Sequence, residues 1–235
     1  MDTEELFRAD SYLKECTATV MRADEAGIVL DRTVFYPMGG GQPGDTGALR
    51  LADGREIRVA DTLKSEAGIL HVPVRGQALP EPGATVTAAI DWERRYRHMR
   101  VHSSLHLLCA VVAGDVTGGE IGDGQGRLDF NVPGDALDKE HIARELNRLV
   151  GEDHPVEPRW IDEDELARQP ELVRTMSVKP PSGQGKVRLL DIAGIDLQPC
   201  GGTHVARTAD IGRVEVGKIE NKGRQNRRIN LRLVD

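Results

Sequence analysis

The sequence predicts an α+β protein: a β-barrel-like N-terminal part followed by a part that mixes helices with strands. Three observations carry this. Residues 1–90 divide into short alternating β-branched segments, a helical period sets in at about Asp91, and strand-like runs fill the last fifty residues. At 235 residues the chain has room for one or two domains, and 39% hydrophobic against 29% charged residues suffices for an ordinary core.

Taken in order, ATVMRADEAGIVLD (18–31), TGALRLADG (46–54), REIRVADTLK (55–64), AGILHVPVRG (67–76) and ATVTAAID (84–91) read as β segments. Their Asp-Gly and Ala-Gly breaks at short spacing predict a compact antiparallel barrel or meander. The intervening TVFYPMGGGQPGDTG (33–47) is too rich in glycine and proline to be regular. The change of period near Ala89–Trp92 predicts a boundary, with domains at 1–90 and 91–235. Val101, Leu105, Leu108 and Val112 recur at helical spacing, so Asp91 to Ala113 reads as one long helix. AGDVTGGEIGDGQG (113–126) breaks it, and GRLDFNV (126–132) reads as a strand. Asp138 to Glu152 predicts a second amphipathic helix with Ile142, Leu146, Leu149 and Val150 inward. Residues 162–169 suit a short helix, and 186–197, 206–223 and 227–235 suit strands.

Composition excludes several classes. With 3% aromatic residues, a platform of clustered rings for base stacking is not expected. No apolar run approaches the ~20 residues that span a bilayer, so no membrane partner is expected, and the acidic start does not read as a secretory signal. Cys16, Cys109 and Cys200 are too few and scattered for a disulfide framework, which suits a reducing cytoplasm. A formal charge of −7 argues against indiscriminate nucleic-acid coating. Two local basic runs stand against that average: Arg94, Arg95, Arg97 and Arg100, then Lys218, Lys222, Arg224, Arg227, Arg228 and Arg232. They read either as a surface for a briefly held polyanion or as solvated faces.

Chemistry concentrates in two distant pieces. His102 and His106 lie four apart on the long helix, so both imidazoles share one face and can reach one metal ion; such a pair alone is also common on solvent-exposed or core-facing helices. Far downstream, Cys200-Gly-Gly-Thr-His204 places a thiol and an imidazole on one glycine-hinged turn, which read alone is equally a buried structural thiol beside an incidental histidine. Together His102, His106, Cys200 and His204 suit tetrahedral zinc better than calcium or magnesium. His98 extends the spacing by another four residues, but each such step advances the helix by about 40°, so three imidazoles cannot face one ion equally. His102 with His106 is preferred because the apolar face continues beyond them, which leaves His98 either in support of the ligands or facing a nucleic acid. A zinc peptidase would need glutamate directly after the first histidine, where Ser103 stands.

HSSLHLL (102–108) followed by CGGTHV (200–205) resembles the editing domain of alanyl-tRNA synthetase and its free-standing relatives, the AlaX proteins. FYPMGGGQPGDTG (35–47) resembles the glycine-rich motif of that synthetase and of the larger AlaX proteins, and GGEIGDGQGRLDF and ENKGRQNRRINL also fit. The resemblance runs from about Asp31 onward, with no room for an adenylation domain. It implies an N-terminal β-barrel-like domain joined to a two-layer α/β editing domain with a zinc site. The implied activity is that of a cytoplasmic Zn2+-dependent hydrolase acting on tRNA(Ala) mischarged with serine or glycine. A synthetic site for alanine cannot strongly reject a side chain with one added hydroxyl or one missing methyl, because each is worth only about 1–3 kcal/mol. A second pocket must therefore recognise the serine hydroxyl, and Gln42, Thr46 and Thr117 are the candidates. Gln42 is the residue to add to the metal set as catalytic, with Gly40 and Gly41 letting backbone approach the substrate, although these glycines equally suit a tight connector. Arg224, Arg227 and Arg228 are the candidate tRNA contacts, which would make binding salt-dependent. Two other readings stay open: an RNA-binding module with purely structural zinc, and a deacylase for another misacylated tRNA, as in the threonyl-tRNA synthetase editing domain.

Overall fold

The computed structural model describes residues 3–132, 137–174 and 185–234. The chain divides into two compact units, Met1–Tyr96 and Arg97–Asp235.

In the first unit β1 (Glu4–Glu5) precedes the single-turn helix α1 (Leu6–Ala9) and pairs in parallel with β4 (Arg32–Thr33). The remaining strands are β2 (Glu15–Asp24), β3 (Gly27–Leu30), β5 (Gly47–Leu51), β6 (Glu56–Ser65), β7 (Gly68–Pro73) and β8 (Thr85–Ile90). These six close into an antiparallel barrel in the order β2-β3-β7-β6-β5-β8. Closure uses the two ten-residue strands, each of which pairs on both sides and carries a register shift, between Val20 and Arg22 in β2 and between Val59 and Asp61 in β6. Such bulges bend a strand and let a sheet turn a corner. Val20, Leu30, Leu49, Ile57, Val59, Val86 and Ala88 fill the interior.

The barrel also encloses a histidine. His71 is fully buried; its Nδ1–H donates to the carbonyl of Ile28 at 3.0 Å, so its Nε2 accepts from the hydroxyl of Thr33 at 2.8 Å. Burial, only partly opposed by the Ile28 contact, lowers its pKa to about 4. The unfolded chain therefore binds a proton near pH 6.5 that the folded barrel refuses until about pH 4. Stability is unaffected by this group above pH 6.5 and falls progressively as the pH drops from 6.5 to 4, by about 3 kcal/mol in all. Urea titrations across that range are expected to show this slope in the parent protein and a smaller one in His71→Asn.

The glycine-rich segment is anchored rather than loose. Gly40 (φ 58°) and Gly41 (φ 83°) form the tip of a tight turn closed by reciprocal backbone bonds between Gly39 and Gln42, a left-handed pair of conformations that glycine adopts freely. A side chain at Gly44 would strike the carbonyl of Thr62 at 2.2 Å, and one at Gly47 that of Ala89 at the same distance. Between these glycines Asp45 accepts from the backbone N–H of Tyr36 at 2.6 Å and from the guanidinium of Arg95. Arg95 also donates to the carbonyls of Val34 (2.7 Å) and Ser11 (3.1 Å), and both members of the pair are almost completely buried.

Helix α2 (Trp92–Val111) carries the predicted apolar positions Val101, Leu105 and Leu108, all buried. In the second unit follow β9 (Asp115–Ile121), β10 (Gln125–Asn131), α3 (Lys139–Gly151), β11 (Val156–Asp162), α4 (Glu163–Ala167), β12 (Lys186–Ile192), β13 (Asp196–Pro199), β14 (Val214–Asn221) and β15 (Asn226–Leu233). One antiparallel sheet has the order β14-β15-β10-β9 and a second has β11-β12-β13. The helix α2 presses on the first: a side chain at Gly126 of β10 would meet Val101 at 2.6 Å and Leu105 at 3.3 Å. Helix α3 is capped by Asp138, which accepts from the N–H groups of Glu140 and His141, and its Asn147 amide bridges both backbone groups of Val214 on β14.

The structure departs from the sequence reading in several places. The glycine-rich break after α2 contains β9, whose ladder with β10 needs backbone rather than side chains; Gly119 stands against Leu128, where a Cβ would approach to 2.9 Å. Strand β11 was not legible, being exposed, polar and interrupted by Pro158, all features of an edge strand. The run 186–197 is a hairpin turning at Gly194 (φ 74°), and in 206–223 the strand begins only at Val214, after a 3-10 turn at Thr208–Ile211. The basic run on α2 is not a free cationic face either. Arg95 is buried, Arg94 donates to the carbonyl of Gly44, Arg97 pairs with Asp123 and Arg100 donates to the carbonyl of Ile211. Nor does His98 face a nucleic acid: it is 1% exposed.

Candidate metal centre

The four-residue spacing on α2 stacks His102 and His106 one turn apart, with ring centroids 5.4 Å from each other. Cys200 follows β13, and its backbone N–H and C=O are both tied to Arg188 of β12, by a 3.1 Å bond to the Arg188 carbonyl and a 2.8 Å bond from its guanidinium. The same guanidinium reaches the carbonyl of Gly202 at 3.2 Å, so one buried arginine holds the shape of the Cys-Gly-Gly turn. That turn brings His204 back over the sulfur.

The result is a convergence of four ligand atoms, from His102, His106, Cys200 and His204, all within 4.8 Å of one another. Cys200 Sγ lies 3.2 Å from His204 Nε2 and 3.5 Å from His102 Nε2. A tetrahedral ion with metal–sulfur and metal–nitrogen bonds of about 2.3 and 2.0–2.1 Å would separate sulfur from nitrogen by roughly 3.6 Å. Both sulfur–nitrogen separations lie within a few tenths of an ångström of that value.

Supporting groups orient the rings. His106 Nδ1 meets Asp196 Oδ2 at 2.8 Å, and Gln198 Nε2 donates to the same carboxylate oxygen at 2.7 Å. His204 Nδ1 meets Ser103 Oγ at 3.2 Å, which also accepts the N–H of Val205 at 3.2 Å. The carboxylate of Asp196 can only accept, so it places a proton on His106 Nδ1 and turns Nε2 toward the cluster, while the Ser103 hydroxyl orients the His204 ring. Electrostatics agree. Burial would raise the Cys200 thiol, but His102 and His204 beside it outweigh burial and hold it well below its ordinary value. Burial together with His102 keeps His204 well below the ordinary histidine value, and thus neutral. Burial likewise opposes a proton on His106, yet Asp196 and Cys200 prevail and raise it to about 10, so in the metal-free protein this ring is an imidazolium whose Nε2 proton a metal ion has to displace. The nearby Cys109 is pushed up to about 12 by burial and stays a neutral thiol.

Asp196, Gln198, Ser103 and Arg188 were not singled out from sequence. One signal was available: Asp196, Gln198 and Cys200 alternate along a single extended run, so strand parity puts all three on one face. Of the other candidates, Thr117 sits in this unit at the bulge of β9, skipped by the ladder, with its hydroxyl donating to the carbonyl of Asp129 at 3.1 Å. Gln42, Gly40, Gly41 and Thr46 belong to the barrel unit, where Gln42 is fully buried and Thr46 half-buried. Arg227 turns inward to the carbonyls of Gly223 and Asn226 and the side chain of Asn221. Arg228 forms a bidentate pair with Asp129 at 2.8 and 2.9 Å, a carboxylate that Arg127 shares, and Arg224 is exposed.

The pattern described as tRNA synthetases class II (A) matches residues 5–94, and that of the threonyl and alanyl tRNA synthetase second additional domain matches residues 187–230. The alanyl-tRNA editing protein AlaX-M of Methanosarcina acetivorans is 37% identical over 246 residues, covering 99% of this chain and 100% of that protein. The chain belongs to the AlaX family of alanyl-tRNA editing proteins. AlaX-M of Saccharolobus solfataricus is 36% identical, with 97% of each chain covered. AlaX-L of Pyrococcus horikoshii is 34% identical over 96% of this chain but only 57% of that longer protein. Among the described residues of this AlaX-family chain, no helix is long and apolar enough to cross a membrane.

Proposed function

We propose that this AlaX-family enzyme, an aminoacyl-tRNA deacylase, hydrolyses the ester of tRNA(Ala) mischarged with serine and, second, with glycine. The observation that carries this reading is the convergence of three imidazoles and one thiolate, with His106 and His204 each held by a supporting partner. Nitrogen and sulfur donors without a carboxylate in the first set suit zinc over calcium or magnesium. Bound there, zinc supplies a Lewis acid beside the ester carbonyl. His102, His106, Cys200 and His204 would together fill four positions on the ion, which favours a substrate-positioning role or an expandable site over a permanently open one.

The chain's own residues do the rest of the work. Asp196 holds the Nδ1 proton of His106, Ser103 orients the His204 ring, and Arg188 fixes the turn that presents Cys200. Thr117, whose oxygen retains lone pairs, is proposed to accept from a serine hydroxyl, and Gln42 and Thr46 remain the barrel unit's candidates for the aminoacyl group. Gly40 and Gly41 give backbone close approach. Leaving such polar groups unpaired disfavours alanine and so spares the correct product. Arg224 and Arg228 are proposed to meet tRNA phosphates, with Arg227 bracing the turn beneath them through Asn221, Gly223 and Asn226, and the reaction is proposed to take place in the cytoplasm.

The test is incubation with Ser-tRNA(Ala), Gly-tRNA(Ala) and Ala-tRNA(Ala), with and without a chelator. Serine ester is expected to be released fastest, glycine ester next and alanine ester at the uncatalysed rate, with chelator stopping release and added Zn2+ restoring it. Equal release of all three, or release indifferent to metal, would overturn the reading.

A further inference from the structure

Trp160 stands on β11, the outer strand of the β11-β12-β13 sheet, with half of its surface (50%) exposed. The chain's other tryptophan, Trp92, is engaged by Tyr96, with ring centroids 5.5 Å apart, and by Lys14, 4.7 Å from its ring. In the ladder Trp160 lies directly opposite Arg188, and the β12–β13 register, in which Leu189 faces Pro199, carried one residue past the strand end sets Arg188 against Cys200, whose N–H bonds the Arg188 carbonyl. Directly opposed residues of antiparallel strands share a face, so Trp160, Arg188 and Cys200 form one cross-strand row on the face that also carries Gln198 and Asp196. Two strand spacings put the Trp160 backbone roughly 10 Å from that of the metal-ligating cysteine. Lys186, exposed and two residues before Arg188, occupies the same face diagonally beside Trp160. An exposed indole and a neighbouring ammonium, one side chain out from a cluster suited to ester hydrolysis, match the chemistry of a nucleotide: a π-face for the base and a cation for the phosphate.

We propose that Trp160 stacks the 3′-terminal base of the aminoacyl-tRNA and Lys186 meets the adjoining phosphate, which places the ester at the metal cluster. This inference rests on the deacylase reading above. The ester joins the amino acid to the ribose of that same terminal nucleotide, so the base must lie within one ribose of the reacting carbonyl. The row from Cys200 to Trp160 spans that reach.

The test compares binding of uncharged tRNA(Ala) with binding of the same tRNA lacking its terminal nucleotide, for the parent protein, Trp160→Ala and Trp160→Phe. The parent is expected to lose roughly tenfold in affinity on truncation, Trp160→Ala to bind both RNAs with that same weakened affinity, and Trp160→Phe to recover most of the loss. In deacylation, Trp160→Ala is expected to raise KM about as much while leaving kcat within roughly twofold. If the parent deacylates Ser-tRNA(Ala) but Trp160→Ala still senses the truncation, the stacking assignment fails alone. If the parent neither binds nor deacylates tRNA(Ala), both readings fail. If Trp160→Ala instead changes the sedimentation of the free protein, the indole belongs to a contact between copies and the assignment is overturned.

Discussion

Replacing Arg95 by alanine is expected to destabilise the barrel unit by about 3–5 kcal/mol, the usual cost of removing one partner of a buried ion pair. The reason lies in what is left behind. Asp45, 1% exposed, would be left buried without the guanidinium, and the carbonyls of Val34 and Ser11 would lose their donors. Because Asp45 also accepts from the N–H of Tyr36, the glycine-rich segment loses the post that fixes it. Lysine should not rescue, since a single ammonium cannot reproduce the fork that spans one carboxylate and two separate carbonyls. Urea denaturation followed by circular dichroism measures the effect, and a loss below about 1 kcal/mol would mean that the pair is not the anchor described.

Substituting Cys200 by alanine should abolish metal retention and deacylation while leaving the fold intact. The backbone bonds that shape the turn run from Cys200 N–H and C=O to Arg188 and survive the change, so only the sulfur is lost. The supporting carboxylate should give a graded version: Asp196→Asn preserves shape but weakens the hold on His106, and metal affinity is expected to fall by roughly 10–100-fold. Competition with a chromophoric chelator measures both variants, alongside a melting curve. A Cys200→Ala protein that melts far below the parent would instead identify the metal as structural, and an unchanged affinity in Asp196→Asn would remove that carboxylate from the site.

Much of this was legible in sequence because it rests on periodicity. The helical recurrence of Val101, Leu105 and Leu108 and the alternation of the first ninety residues each report one buried face, and the structure places an α2 helix and a closed barrel where those patterns lie. The two halves of the cluster were readable from spacing, because a four-residue step on a helix and a glycine-hinged turn each aim two side chains at a point, and the structure brings the four candidate ligand atoms together. Strand β11 was not, since its stability comes from the ladder with β12 and not from its own residues. The supporting shell was hidden for a related reason. Ser103 and Asp196 meet their histidines across 101 and 90 residues of sequence, distances over which no local pattern operates. The basic residues of α2 failed most clearly as a guide. Composition counts Arg95 as a surface charge, whereas its partner Asp45 lies 50 residues away and draws it inside.

Everything functional depends on whether His102, His106, Cys200 and His204 share one ion. X-ray absorption at the zinc edge of the metal-loaded protein addresses that directly. The expected spectrum fits three nitrogen neighbours at about 2.0–2.1 Å and one sulfur at about 2.3 Å, with the sulfur shell gone in Cys200→Ala. A parent spectrum with no sulfur neighbour, or a protein that retains no zinc after dialysis, would contradict the account.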